Sequence, residues 1–175
     1  ASFHAHFLHR KPTGLWRVGT YWHLATRKEE LKALRDPKLR GAAPALDAAL
    51  NRCQFRTLVH GDAKVANFCF GANDVAAVDF QYVGGGCGIK DVAYFLSSCL
   101  TDGECEAQAP QHLDTYFRFL RQHLAADVDG DAVEREWRAL YPAAWADFHR
   151  FLAGWAPDHW KIHRYTRRMT EQALS

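Results

Sequence analysis

The sequence predicts a mainly helical α+β domain with one small β-hairpin at its centre and helices before and after it. Three observations carry that reading. Two short β-type runs, Asn67–Phe70 and Val75–Phe80, flank the turn residues Gly71-Ala72-Asn73-Asp74. Beyond Gly88 the apolar residues recur at three- and four-residue spacing, the helical repeat. A length of 175 residues, 48% apolar and 24% charged, suits one domain spanning residues 1–175 around a single core.

Taken in order, Ala1–Leu8 reads as helix, with Phe3, Phe7 and Leu8 on one face and no capping residue ahead of them. Met169 is the only methionine, so residue 1 is not an initiator. An uncapped opening helix is expected of a chain cut from something longer; removal of a methionine before Ala1 gives the same start. Lys11–Thr20 holds Pro12, Gly14 and Gly19 and reads as loop, followed by the aromatic stretch Tyr21-Trp22-His23-Leu24. Thr26 with Glu29 makes an imperfect capping box for a helix to about Arg35, which Asp36-Pro37 stops. Pro44 to about Cys53 is expected to be the next helix, with Leu46, Ala49 and Leu50 aligned. Phe55–Val59 is strand-like, and Gly84–Gly88 is a glycine-rich loop. Four helices then follow, opening at Asp91–Leu96, at His112 to about Leu124, at Asp131 to about Phe151 and at Pro157–Leu174.

Composition excludes several functions. A net charge of +2 makes no electrostatic case for a nucleic-acid partner. Lys161, Arg164, Arg167 and Arg168 read as a solvated basic face near a helix C-terminus. No apolar run reaches the roughly 18 residues of a membrane span, and no basic-then-apolar signal segment opens the chain. Five cysteines, at 53, 69, 87, 99 and 105, are odd in number and lack Cys-x-x-Cys spacing. They read as reduced thiols of a cytoplasmic protein. His4, His6 and His9 read as surface or boundary residues, since only His6 and His9 share a helical face. Leu15-Trp16 and Tyr21-Trp22-His23 serve either as walls of an acceptor pocket or as core.

The chemistry concentrates around the hairpin. Asp62 follows a strand and a glycine, on a loop between rigid elements, where catalytic carboxylates are common. If residues 71–74 form the turn, residue 70 faces 75 and residue 67 faces 78, so Asn67 and Asp79 are neighbours at the open end. An amide oxygen beside a carboxylate is a hard ligand pair suited to Mg²⁺, which takes phosphate oxygens and water at its other positions. A base, Asp62, and two metal ligands, Asn67 and Asp79, are the parts needed to move a phosphoryl group. Lys64 is placed to reach the transferring phosphate and offset its charge. His60 braces the loop. A metal-dependent hydrolase built on His60, Asp62 and Asp79 is disfavoured, because too few further ligands lie nearby for a two-metal cage.

His60-Gly61-Asp62 with Asn67 five residues on, Val78-Asp79-Phe80-Gln81, Gly84-Gly85-Gly86-Cys87-Gly88 and Asp91-Val92-Ala93-Tyr94-Phe95-Leu96 carry a family resemblance. They resemble the catalytic centre of the protein-kinase-like small-molecule phosphotransferases, which include aminoglycoside phosphotransferases, choline kinases and, most similar here, the ecdysteroid-kinase-like group. The resemblance implies Asp62 as catalytic base, Asn67 and Asp79 as Mg²⁺ ligands, ATP as phosphoryl donor and a hydroxyl of a small molecule as acceptor. It implies that Asp91 stabilises the catalytic loop from the start of a helix; the same residue would also serve as that helix's N-cap. It covers the chain as a C-terminal lobe only. No phosphate-cradling loop with its lysine and glutamate precedes Phe55, so the exposed face beside Asp79 is expected to meet a missing N-terminal lobe or another chain. Taken alone, the chain is expected to bind ATP poorly. The alternative is a non-catalytic kinase-like module that binds a partner through that face.

Overall fold

The structure, a computed structural model, describes residues 1–175. Its elements are helices α1 (Ser2–His6), α2 (Lys28–Ala33) and α3 (Pro37–Asn51), strands β1 (Thr57–Val59), β2 (Phe68–Phe70), β3 (Val75–Ala77) and β4 (Gly84–Gly86), and helices α4 (Ile89–Cys99), α5 (Asp102–His123), α6 (Gly130–Trp155) and α7 (Arg164–Ala173). The mainly helical α+β class expected from the sequence is the one observed.

Helix α6 is the axis. Asp129 caps it by accepting from Asp131 N–H and Ala132 N–H. Its second half is buried nearly all round, and α2, α3, α4 and α7 pack on it. The main core gathers Trp137 and Trp145 of α6 with Phe117 and Leu120 of α5, Ile89 of α4 and Leu50 of α3. A buried ionic set joins α4 to α6. Asp147 accepts from Arg150 at 2.7 Å and from Trp22 Nε1 at 3.0 Å, with the Lys90 ammonium at 3.4 Å. Burial works against the Asp147 charge, but Arg150 and Lys90 outweigh it and hold the carboxyl below its ordinary range. The helix that carries Asp91 is thereby locked to the helix that lines the cavity described below.

Several helix boundaries differ from expectation. Helix α3 starts at Pro37, not Pro44: Asp36 caps it by accepting from Lys38 N–H and Leu39 N–H, and Pro37 occupies the first turn. Leu39, Ala43, Leu46 and Leu50 bury one face from that first turn onward. That packing outweighs an internal proline at Pro44, which costs about 3 kcal/mol in an isolated helix. Helix α5 starts ten residues before His112, on a reciprocal capping box between Thr101 and Glu104. Thr26 is not a cap; its hydroxyl donates to His23 O. Residues 157–163 form turns, and His163 caps α7 by accepting from Thr166 N–H.

The strands form two separate pairs. Strand β2 runs antiparallel to β3 with Phe70 opposite Val75 and Phe68 opposite Ala77, the register expected from the turn. Strand β1 pairs antiparallel with β4, Val59 opposite Gly84 and Thr57 opposite Gly86. Gly84–Gly86 is therefore a strand and not the loop its composition indicated. A side chain on Gly84 would run into Trp16 O, and one on Gly19 into the Gly84 backbone, because three backbone segments stack there. Glycine is needed for close approach, and the lost side chains removed the usual β pattern. All five cysteines are free thiols, with Cys53, Cys87 and Cys105 buried. No helix is long and apolar enough to cross a membrane.

Candidate active site

The loop from His60 to Asn67 leaves β1, turns sharply and enters β2 through a 3₁₀ turn at Val65–Asn67. Gly61 makes the turn at φ +81°, and a Cβ there would collide with Tyr82 O, so the position needs glycine. Ala63 anchors the loop's middle in a second core with Trp22, Tyr94 and Phe148. Val65 N–H donates to Ser98 Oγ of α4 at 2.8 Å.

Asp91, in the first turn of α4, holds the loop from beneath. Its Oδ2 accepts from His60 N–H at 2.6 Å and its Oδ1 from Gly61 N–H at 3.1 Å. His4 Nε2 approaches the same carboxylate at 3.1 Å, and His4 Nδ1 meets Tyr116 Oη at 2.7 Å. Burial opposes the Asp91 charge, yet His4 and the two backbone donors hold its carboxyl below the ordinary range. Burial lowers the His4 pKa. Neutral His4 therefore donates from Nε2 to Asp91 and accepts the Tyr116 hydroxyl at Nδ1. The helix N-cap itself is Gly88, so of the two roles open to Asp91 the structure shows the bracing of the loop. His4 is buried, contrary to the surface position expected for it.

His60 links the loop to the hairpin. Its Nδ1 accepts from Asp62 N–H at 3.3 Å, which leaves the proton on Nε2 to donate to Val78 O at 2.9 Å. Its ring packs on Phe80, centroids 4.7 Å apart. Asn67 is buried, and Nδ2 donates to Asp62 O at 2.8 Å and to Asp62 Oδ2 at 3.1 Å. Lys64 Nζ reaches the same Oδ2 at 3.1 Å. Asp62 is 4% exposed, and Oδ1, its other carboxylate oxygen, is buried without any partner. Val78 N–H donates to Asn67 O at 2.9 Å, which sets Asp79 one residue beyond the pair. Asp79 is exposed and holds a left-handed backbone, φ +63°, uncommon for a non-glycine residue.

Asp62, Lys64 and Asn67 are thus in direct contact, His60 and Asp91 fix the loop behind them, and Asp79 adjoins Asn67 through the hairpin register. Because Asn67 commits its amide N–H₂ to Asp62, its Oδ1 remains a free acceptor, and the exposed Asp79 follows the residue whose backbone pairs with Asn67. An amide oxygen and a carboxylate are both hard donors of the kind a divalent cation such as Mg²⁺ takes. Phe70, Val75, Val78 and Phe80 are exposed on the same hairpin, and Phe70, Val75 and Phe80 face an apolar cavity of about 580 Å³ shared with Phe3, Tyr116 and Phe119.

A cavity of about 340 Å³ opens on the other side of Asp62, with Tyr21, Tyr82, Tyr94, Trp155 and Lys161 among its walls. The aromatic stretch divides its duties. Tyr21 lines this cavity, Trp22 is fully buried core, and Trp16 lies on the surface with Nε1 donating to Gln81 O. Lys161 departs from expectation: it is buried against aromatic rings and is not part of a solvated face. The cavity walls come from the stretch before α2, the segment between β3 and β4, α4, α6 and the turns after α6, and no local sequence pattern joins those segments to Asp62.

Loop, hairpin and Asp91 all fall within residues 18–126, which match the model of the ecdysteroid kinase-like family. That match is consistent with a kinase-like small-molecule phosphotransferase. The chain belongs to the ecdysteroid kinase-like family. No curated protein and no solved structure matches it.

Proposed function

We propose that the protein transfers the γ-phosphoryl group of ATP, with Mg²⁺, to a hydroxyl of a small molecule seated in the cavity beside Asp62. The observation that carries this reading is the Asp62 carboxylate. Oδ2 is held by Lys64 and Asn67, while Oδ1 is buried and unpartnered in a residue that borders the cavity. A buried polar atom with no partner is rare unless a ligand supplies one.

Asp62 Oδ1 takes the proton of the acceptor hydroxyl as that oxygen forms the new O–P bond and the bond to the β–γ bridging oxygen breaks, releasing ADP. Asn67 Oδ1 and the Asp79 carboxylate are the residues to hold Mg²⁺. Bound there, Mg²⁺ and ATP supply the phosphoryl group and the charge neutralisation its transfer requires. Lys64 adds a positive charge beside the reacting oxygens. His60 and Asp91 are positioning residues that act through the loop. The apolar surface of Phe70, Val75, Val78 and Phe80 is, in this reading, the face on which a nucleotide-binding lobe or another chain packs. Free thiols suit a reducing, cytoplasmic setting.

The test is transfer of label from γ-labelled ATP to a library of small hydroxyl compounds. Mg²⁺-dependent labelling of an alcohol supports the proposal. ATP hydrolysis with no labelled acceptor, or labelling that persists in excess chelator, contradicts it.

A further inference from the structure

Lys161 sits in the turns between α6 and α7 and is 9% exposed. Its ammonium lies 4.8 Å from the Tyr94 ring centroid, 5.5 Å from Phe148 and 5.6 Å from Trp160. It makes no hydrogen bond through Nζ and no ion pair, although it borders the same cavity as Asp62. The contrast with Lys90 is instructive. That lysine is only 2% exposed and is paired with Asp147. Buried ammonium groups are normally paired, because desolvation costs several kcal/mol per ion. Aromatic faces return only about 0.5–2 kcal/mol of that. Burial pulls the Lys161 pKa down to about 8, with Asp62 opposing the fall and Lys64 adding to it. The ammonium is still mainly protonated at neutral pH and borders an open cavity whose one carboxylate, Asp62, makes no ion pair with it.

The position of Lys161 identifies what the anion belongs to. Asn67 and Asp79 do not line this cavity, whereas Asp62 and Lys64 do, so Lys161 shares it with the proposed base and not with the proposed metal ligands. Five of the other walls are aromatic, Tyr21, Tyr82, Tyr94, Phe148 and Trp155, beside the polar Lys64, Gln81 and His159. Such walls suit an apolar or ring-shaped body. We propose that Lys161 is a specificity-determining residue that binds a carboxylate of the acceptor, so that the preferred acceptors are hydroxy acids with an apolar or aromatic body. The hydroxyl end of this assignment rests on the phosphotransferase reading. The anion contact rests on the cavity alone.

Tryptophan fluorescence tests it without ATP, since Trp155 lines the cavity and Trp160 packs on Lys161. The protein is titrated with mandelate, 3-phenyllactate and 4-(hydroxymethyl)benzoate and with the methyl ester of each. A hydrogen bond to a charged group leads one to expect at least one acid to bind about 10- to 100-fold tighter than its ester. Lys161→Gln should erase that preference, and Lys161→Arg should keep part of it. Thermal unfolding of Lys161→Gln should show an intact cooperative transition, since the substitution removes an unpaired buried charge. Esters binding as tightly as acids across the panel, or a preference that survives in a folded Lys161→Gln, overturns the proposal. Adding Mg²⁺ and ATP separates it from the reading it extends. Acid-selective binding with no phosphorylation defeats the phosphotransferase reading and leaves the anion site standing. Equal phosphorylation of acids and esters does the reverse.

Discussion

Replacing Asp91 by alanine should unfold the site from below. Asp91 is buried, and its two oxygens take the backbone N–H groups of His60 and Gly61 together with His4 Nε2. The loop cannot turn to find other acceptors, because Gly61 is fixed at φ +81° against Tyr82 and Ala63 is sealed in the core. Alanine therefore strands two buried backbone donors and a buried histidine. An unsatisfied buried donor costs about 1–3 kcal/mol, and breaking a buried charged contact about 3–5 kcal/mol in all. We expect Asp91→Ala to lose about 3–5 kcal/mol, a large share of the roughly 5–15 kcal/mol that stabilises a domain. Urea unfolding with an unchanged slope should show this as a midpoint lowered by about 2 M, for a slope of about 2 kcal/mol/M. An Asp91→Ala midpoint within a few tenths molar of wild type would refute the idea that this carboxylate holds the loop.

Two further outcomes follow from the same region and from the helical core. Gly61→Ala should cost at least about 1–3 kcal/mol by placing a side chain at positive φ, and it should move Asp62; an unaltered melting curve would count against the close contact with Tyr82. Acid should destabilise the fold through His149, which is buried against Thr170 and whose pKa burial lowers to about 4, with Arg167 adding to the fall and Asp36 opposing it. Between pH 6.5 and 4 the unfolded chain binds the extra proton, so stability rises with pH across that window and falls as pH drops, by about 3 kcal/mol for this group. His149→Gln should flatten the stability profile between pH 4 and 6.5 relative to wild type, and an unchanged profile would exclude His149 as the source.

What was legible in the sequence is what local spacing encodes. Turn residues at 71–74 set the register that puts Phe70 opposite Val75 and brings Asp79 next to Asn67. The run from His60 to Asn67 announced a loop between strands, and the contacts among Asp62, Lys64 and Asn67 are all short in sequence. Helix ends were harder to read. Pro44 looked like a boundary, but it and Pro110 lie inside helices started earlier by caps at Asp36 and Thr101 and held by buried faces. The Thr101–Glu104 box was available as a signal. Strand β4 was hidden because three glycines carry no β pattern. His4 and Lys161 were hidden for a different reason. His4 meets Asp91 across 87 residues, and Lys161 reaches the cavity through rings contributed by α4 and α6. Helical periodicity records neither contact.

The central claim is that Asp62 acts as the base for an acceptor hydroxyl, and the rate of phosphoryl transfer by Asp62→Asn tests it most directly. Asparagine keeps an oxygen for Lys64 and Asn67, so the loop should hold its shape and the unfolding midpoint should stay near wild type. The rate of transfer to the best alcohol found in the label screen should fall about 10²- to 10⁴-fold, with a much smaller change in KM, because the amide cannot take the proton. Turnover within a factor of about two of wild type, where loss of a general base should cost at least 10²-fold, would contradict the assignment of Asp62 and with it the account of this site.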